Sequence, residues 1–139
     1  MYGVIDIGSN SIRLSVFQVE EGGGLTPLFQ RKEMTGLAAC VNEKGNLTRQ
    51  GVRRAAGTLE RFRWALEKIL VEETFVFATA SLRNVGNTKE VVQELFRQTG
   101  YQVRVLSGRE EALLDYRGAR LFLGGGDGLL VDIGGGSTE

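Results

Sequence analysis

The chain has 139 residues, the size of one domain, and its 42% hydrophobic residues are enough for a single core. Lys+Arg and Asp+Glu both number 17, and this formal net charge of zero argues against a nucleic-acid or membrane partner, so any anion must be held locally. A single cysteine and no histidine exclude an internal disulfide, Ser-His-Asp chemistry and most zinc chemistry. Because no apolar run could span a bilayer and no signal peptide is visible, we expect a cytoplasmic protein.

The first half of the chain predicts a meander of strands followed by a long helix. Strands are expected at about 2–7, 12–20 and 26–34, with a hairpin turn at Gly22–Gly24. A helix is expected over about 48–71 with Thr48 as its N-cap, because apolar residues recur there at three- and four-residue spacing. These residues are Val52, Ala55, Leu59, Phe62, Leu66, Ile69 and Leu70.

The second half alternates strands and helices. We predict a strand at 75–78, a polar turn, a helix at 88–98 that Thr88 could cap and Gly100 could end, and a strand at 102–106. A helix over 108–123 begins with capping-box spacing from Ser107 to Glu110, and a turn at Gly124–Gly126 leads into a last strand at 128–133. The order βββαβαβαβ predicts an α/β fold in which a mixed sheet carries helices on its faces.

One motif occurs near both ends of the chain, as Val4–Ser11 and as Leu130–Ser137. Each copy is an apolar run that ends in Asp, followed by a glycine turn and a hydroxyl. The glycines let backbone N–H groups approach an anion, and a carboxylate at a strand end suits a hard cation such as Mg²⁺. Ligands gather at strand carboxyl ends in such sheets, so we expect one shared rim there, formed by Asp6, Thr79, Ser107 and Asp132.

Several polar residues have two interpretations from spacing alone. Glu110 belongs to the capping box, whereas Glu111 either faces the cleft or serves the helix dipole. Arg83 either contacts a phosphate or lies exposed in a loop, and Asn87 either contacts phosphate or caps the next helix. Asp6 and Asp132 bind either a cation or the N–H groups of their own turns.

Four motifs in this order resemble the exopolyphosphatase and guanosine pentaphosphate phosphohydrolase family, of the actin, Hsp70 and sugar-kinase superfamily. They are Asp6–Ser11, Thr79–Arg83 with Asn87, Leu106–Ala112 and Asp132–Glu139. The resemblance implies a ribonuclease H-like (actin-like ATPase) domain with a mixed five-stranded sheet. Family members are two-domain enzymes with the active site between the domains. The chain matches the first domain at 1–125 and, at 126–139, the opening strand and phosphate loop of a second.

The resemblance also implies roles for individual residues. Glu111 matches the family's catalytic carboxylate, which deprotonates the attacking water, and Arg83 matches a phosphate-binding arginine. A divalent cation such as Mg²⁺ would be held by Asp6, Asp132 and Glu139. Arg13 is left out of the site. The implied phosphate ligands are Gly8, Ser9, Asn10, Ser11, Gly134, Gly135, Gly136 and Ser137.

The leading functional hypothesis is a phosphoanhydride hydrolase that releases terminal phosphate from inorganic polyphosphate or guanosine pentaphosphate. This chain would then be half of the site and inactive alone. The alternatives are a phosphate- or nucleotide-binding half-module without turnover, and a kinase that transfers phosphate from ATP to a sugar or acyl group. Full-length relatives are expected to form homodimers. The sequence leaves open the substrate preference and the oligomeric state of this chain.

Overall fold

The computed structural model describes residues 1–123 and 128–139. None of the helices in this part of the chain is long and apolar enough to cross a membrane. The strands are β1 (Tyr2–Ile7), β2 (Ser11–Val19), β3 (Leu25–Met34), β4 (Glu73–Ala78) and β5 (Val103–Val105). The α-helices are α1 (Arg49–Glu67), α2 (Ala80–Arg83), α3 (Thr88–Thr99) and α4 (Gly108–Leu123), and a short 3₁₀ helix spans Leu37–Cys40.

The strands form one mixed sheet, as predicted, with the order β3-β2-β1-β4-β5. The meander β1-β2-β3 is antiparallel, whereas β4 pairs with β1 and β5 pairs with β4 in parallel. The predicted turn at Gly22–Gly24 is confirmed: Gly23 has a φ of 80°, and the Glu20 N–H donates to the Gly24 carbonyl at 2.9 Å. This order places β1 in the centre of the sheet, with its carboxyl end next to that of β4.

One face of the sheet carries the core. Ile5 and Ile7 on β1 are fully buried, and α1 and α3 pack over this face with the apolar stripe that the sequence predicted for α1. The N-cap prediction is also confirmed, because the Thr48 hydroxyl accepts the Gly51 N–H at 3.3 Å. The predicted end at residue 71 is wrong, since α1 stops at Glu67 and the backbone turns away at Leu70, which has a φ of 58°.

The helix α4 lies on the side of the opposite face, across a cavity from Asp6, which agrees with the prediction of helices on both faces. Asp6 alternates with Ile5 and Ile7 along β1 and therefore points away from the core. Glu111 and Asp115 of α4 line the same cavity as Asp6. No residue of α4 is buried to the level of the core, so this helix has much exposed apolar surface.

Three local predictions fail. The polar turn after β4 contains the one-turn helix α2, which is too short to show periodicity in the sequence. Thr88 does not cap α3, because it is the first helical residue and its hydroxyl donates instead to the Leu82 and Val85 carbonyls. The last strand, expected at 128–133, is wrong: only an isolated bridge joins Ile133 to Thr138, and the segment has no neighbouring strand to pair with.

The predicted turn at Gly124–Gly126 lies outside the described residues. The same is true of the predicted boundary between 1–125 and 126–139, which stays a prediction. Gly100 is confirmed as the end of α3, where it has a left-handed φ of 72° and its N–H donates to the Phe96 carbonyl at 2.8 Å.

Candidate active site

The two copies of the sequence motif form the same turn. The Gly8 N–H donates to the Ser11 carbonyl at 3.0 Å, and the Gly134 N–H donates to the Ser137 carbonyl at 3.0 Å. A Cβ at Gly8 would lie 2.9 Å from that carbonyl oxygen, which explains the need for glycine there. In the following text, Gly8–Ser11 is the first loop and Gly134–Ser137 is the second loop.

The two loops lie against each other. A Cβ added at Gly135 would lie 2.6 Å from Asn10 Nδ2. A Cβ added at Gly136 would overlap the Ser9 hydroxyl and would stand 3.2 Å from the Cβ of Ala80. The glycines of the second loop therefore allow a close approach that any side chain would prevent, and the loops form one continuous surface.

The loops line a cavity of about 700 Å³ at the carboxyl end of β1, which we call the loop cavity. Thr79 and Asp132 share this rim with Asp6, as predicted, whereas Ser107 is not among the lining residues and instead caps α4. The predicted site residues on the cavity wall are Asp6, Gly8, Ser9, Asn10, Ser11, Glu111, Asp132, Gly134, Gly135, Gly136 and Ser137. Glu139 lines an adjoining cavity of about 150 Å³ that shares Asp132.

Three carboxylates meet beside the second loop. One oxygen each of Glu111, Asp132 and Glu139 lies within 4.8 Å of the others. Asp132 and Glu139 are held opposite each other by two backbone hydrogen bonds of 2.9 and 3.0 Å, in the same arrangement that pairs Asp6 with Arg13 in the first motif. The structure thus groups two of the three predicted cation ligands with the predicted base, while Asp6 lies outside this group.

Asp6 has an unfavourable environment for a charged carboxylate. Burial raises the pKa of Asp6, and the charges of Glu111 and Asp132 raise it further, while Arg13 acts in the opposite direction. Arg13 is directly opposite Lys32 in the β2-β3 pairing, and both line the loop cavity without an ion pair in residues 1–123 and 128–139. A predicted pairing of β1 with β2 would have placed Arg13 beside Asp6. The sequence alone did not decide whether the Arg13 side chain points toward the anion or toward solvent.

Arg83 bridges two carboxylates rather than lying exposed in a loop. One guanidinium nitrogen donates to Glu111 at 2.6 Å and to the Leu106 carbonyl at 3.1 Å, and another donates to Glu139 at 3.1 Å. The hydrogen bond to Glu111 raises the pKa of Arg83, with a smaller contribution from Glu139. The unexpected helix α2 ends at Arg83, so it positions the guanidinium beside both acids.

Glu110 and Glu111 make separate contacts, and only Glu110 belongs to the capping box, as predicted. Glu110 accepts the Ser107 N–H at 2.9 Å, and the Glu110 N–H donates to the Ser107 hydroxyl at 3.2 Å. The bond from the Ser107 backbone, together with Arg104 and the Ser107 hydroxyl, lowers the pKa of Glu110 to about 2. The capping acid is thus committed to the start of α4, and Glu111 faces the loop cavity.

The structure adds one acid that the sequence reasoning missed and reassigns one amide. Asp115 follows Glu111 by one helical turn and lines the loop cavity, and that spacing was the available signal. Its Oδ2 is buried and has no hydrogen-bond partner in the described part of the chain. Asn87 occupies the N-cap position of α3, but its side chain makes no capping hydrogen bond and does not line the loop cavity, because its amide pairs with the backbone N–H and carbonyl of Leu47.

The comparisons with known proteins agree on one family. The sequence profile of the Ppx/GppA phosphatase family matches residues 15–139. Exopolyphosphatase 1 of Mycobacterium tuberculosis is 32% identical over 139 residues, which are 99% of this chain and 40% of that protein. The chain therefore spans about 40% of the length of the curated relatives that it matches.

Solved structures give the same result for the fold. An exopolyphosphatase from Cytophaga hutchinsonii aligns with a TM-score of 0.89 at 29% identity, over 99% of this chain and 44% of that one. The Ppx/GppA family member of Aquifex aeolicus aligns with a TM-score of 0.87 at 30% identity, over 99% of this chain and 45% of that one. The predicted actin-like α/β fold is thus confirmed.

Proposed function

The chain belongs to the Ppx/GppA phosphatase family, and on that basis we propose that the protein hydrolyses phosphoanhydride bonds. It would release the terminal phosphate of inorganic polyphosphate or guanosine pentaphosphate. The observation that supports this most directly is the loop cavity, in which two glycine turns and Glu111 share one wall. Backbone N–H groups and hydroxyls of the loops suit the oxygens of a phosphate chain, and a carboxylate beside them suits activation of water.

The proposed chemical step uses Glu111 as the general base. Glu111 accepts a proton from water as the water oxygen attacks the terminal phosphorus, and the bond to the bridging oxygen breaks. The shortened phosphate chain leaves with the electrons of that bond. The N–H groups of the loops that do not close the turns, and the hydroxyls of Ser9 and Ser11, donate to the oxygens on which negative charge develops. The Ser137 hydroxyl, which donates to Glu139 at 3.0 Å in this structure, would turn to the same oxygens.

Arg83 has two parts in this proposal. Its bonds to Glu111 and Glu139 hold the base in one orientation at the edge of the loop cavity. Its planar fork also carries further N–H donors, which suit a bidentate contact with the phosphoryl group. Arg83 is not among the residues that line the loop cavity, so in this proposal it reaches the substrate from beside Glu111, where its positive charge reduces the repulsion between the acids and an anionic substrate.

The acidic group fits a divalent cation. Carboxylate oxygens are the ligands that Mg²⁺ prefers, and those of Asp132 and Glu139 lie within 4.8 Å of each other and of Glu111. We propose that Asp132 and Glu139 hold the ion, with Asp6 facing the loop cavity that Asp132 also lines. When bound, the ion would supply charge neutralisation for the phosphoryl oxygens.

The chain would supply one half of the complete site. It spans about 40% of the curated relatives, so recognition of chain length or of a guanine base would involve residues that follow it in a longer protein. A phosphate-binding half-module without turnover is therefore the second candidate for the isolated chain. A cytoplasmic location and homodimerisation of the longer protein are parts of the same proposal.

Release of inorganic phosphate from long-chain polyphosphate with Mg²⁺ tests the proposal. The longer natural protein should be active, and Glu111→Gln should lower its rate by about 10²- to 10⁴-fold, the usual contribution of a general base. Glu110→Gln is the matched control, because it removes the neighbouring carboxylate of the capping box and should leave the rate within about threefold. Equal losses in the two variants, or no loss with Glu111→Gln, would contradict the proposal.

A further inference from the structure

A second polar cavity lies behind the first loop, on the side of the sheet that α1 covers. Its volume is about 310 Å³, and its lining residues come from α1 and from the end of β3. We call it the arginine cavity, and it is lined by Met34, Thr35, Arg53, Arg54, Gly57, Thr58 and Arg61. It shares no lining residue with the loop cavity, so it is a separate feature of the surface.

The arginine cavity carries excess positive charge. Arg61 is bound to Glu33, and Arg54 donates to the Thr35 carbonyl at 3.3 Å. Arg53 has no ion pair within residues 1–123 and 128–139. Three guanidinium groups therefore line the space, with Glu33 beside Arg61 and with Glu90 and Glu94 in the neighbouring cavity that Arg53 also lines. Clusters of guanidinium groups favour an anion over a cation or a neutral ligand.

A buried hydroxyl in the same wall lacks a partner. Thr35 is only 7% exposed, and its Oγ1 makes no hydrogen bond in the described part of the chain. An unsatisfied buried hydroxyl is unfavourable, and because this oxygen exposes almost no surface, the Thr35 side chain would turn toward the cavity for a ligand oxygen to relieve it. The neighbouring Thr58 hydroxyl is already engaged with Glu33, so Thr35 supplies the additional donor.

Gly57, in the middle of α1, lines the cavity. A Cβ at Gly57 would meet the Arg61 guanidinium at 3.5 Å, which is an ordinary contact, so alanine would fit. Glycine is a poorer helix former than alanine, and its presence here costs helix stability without a steric reason. The space that it leaves lies between Arg53 and Arg61, which are four residues to either side of it on α1.

We propose that the arginine cavity is a second phosphate site, separate from the loop cavity and independent of any hydrolysis. Arg53 and Arg54 would donate to the oxygens of a phosphoryl group, and Thr35 would donate through its hydroxyl. Each of these groups can donate a hydrogen bond, which matches a ligand whose oxygens mostly accept hydrogen bonds. The bound species is either inorganic phosphate or the end of a phosphate chain, since both present the same oxygens.

The arginine cavity is joined to the first loop through the backbone. The N–H groups of Thr35 and Gly36 both donate to the Asn10 carbonyl, at 3.0 and 2.9 Å. A ligand that orders Thr35 would therefore also order the loop that lines the other cavity. Binding at the arginine cavity should be visible at Asn10 as well as at its own walls.

Residue-resolved NMR titration of the chain with inorganic phosphate, at constant ionic strength, tests the proposal. We expect saturating changes in the amide chemical shifts of Thr35, Gly36 and Gly57. In Arg53→Gln the same amides should report about tenfold weaker phosphate binding, because the cavity loses one charged hydrogen-bond donor. Gly57→Leu should abolish the shifts by filling the cavity. A parallel titration with tripolyphosphate distinguishes inorganic phosphate from the end of a phosphate chain. Tighter binding of tripolyphosphate than of inorganic phosphate would identify the end of a phosphate chain as the ligand.

Arg63→Gln is the control for charge, because it removes one positive charge from α1 at a residue that does not line the cavity. Thr35→Val keeps the side-chain shape and should weaken binding about fivefold, while well-dispersed spectra show that it folds. Equal weakening by Arg53→Gln and Arg63→Gln would overturn the proposal in favour of general charge attraction. Shifts confined to Gly134–Gly136 would also overturn it, because phosphate would then bind only in the loop cavity.

Discussion

Replacing Asn87 with alanine should destabilise the fold without affecting phosphate chemistry. The Asn87 amide accepts the Leu47 N–H at 2.9 Å and donates to the Leu47 carbonyl at 3.0 Å. Leu47 is only 3% exposed, so both of its backbone groups would lose their partner in a mostly buried position. The side chain of Asn87 thus joins the start of α3 to the segment before α1.

The magnitude follows from these two bonds. Leaving a buried polar group unpaired costs about 1 to 3 kcal/mol, which gives an upper range of about 2 to 6 kcal/mol for the pair. Both residues line a surface cavity of about 490 Å³, so water can reach part of this region and reduce the loss. We therefore expect a loss of about 2 kcal/mol in the free energy of unfolding, and a fall in Tm of about 6 °C.

Urea unfolding of the 139-residue chain, followed by circular dichroism, measures this loss. Asn84→Ala is the matched control, since Asn84 is exposed, makes no side-chain hydrogen bond in the described residues and should cost less than about 0.5 kcal/mol. In the longer natural protein, Asn87→Ala should leave phosphate release unchanged at temperatures where the protein is folded. An unchanged stability combined with a tenfold lower rate would refute the reasoning and support the phosphate contact that the sequence left open.

Three further predictions concern the loop cavity and its acids. Gly136→Ala should push the loops apart at Ser9 and lower phosphate release by the longer protein at least tenfold. Gly128→Ala is the control and should have no effect in the same assay, because a Cβ at Gly128 meets nothing within 4 Å. Burial raises the pKa of Asp115, and the neighbouring acids raise it further. The Asp115 carboxylate therefore binds a proton more tightly in the folded chain than in the unfolded chain, and the folded chain gains stability as the pH falls toward 3.8. Asp115→Asn should therefore raise Tm at about pH 7 by ~2 °C and should reduce the rise of Tm with falling pH, as measured by thermal unfolding at several pH values. A lower Tm of the variant at neutral pH would contradict this prediction. Arg83→Met should lower the free energy of unfolding in urea by about 3 kcal/mol when a chelator is present, because Glu111 and Glu139 lose their counter-charge. This loss should shrink when Mg²⁺ is added. A loss that Mg²⁺ does not change would argue against the cation site.

Features that depend on neighbouring residues were accessible from the sequence. The period of apolar residues predicted α1, and the hydroxyl of Thr48 marked its start, because both signals act within a few residues. The capping box separated Glu110 from Glu111 for the same reason. The repeated Asp-Ile-Gly motif predicted two equal turns, since each is closed by a hydrogen bond across four residues.

Features that depend on a partner far along the chain were not accessible. The segment 128–133 has the apolar residues of a strand but no neighbouring strand in the sheet, so it forms only a bridge to Thr138. Asn87 has the spacing of a helix cap, yet its amide meets Leu47, which precedes it by 40 residues. Local sequence could not tell these outcomes from the predicted ones, because burial and hydrogen-bond partners come from the sheet order.

The same division applies to the candidate site. The sequence by itself determined which residues could carry the chemistry: carboxylates, an arginine and glycine turns in a chain without histidine. Only the tertiary structure decided that Arg83 lies between Glu111 and Glu139, which are 28 and 56 residues away from it. The physical reason is that β1, β4 and β5 end at one edge of the sheet, and this edge brings α2, α4 and the second loop together.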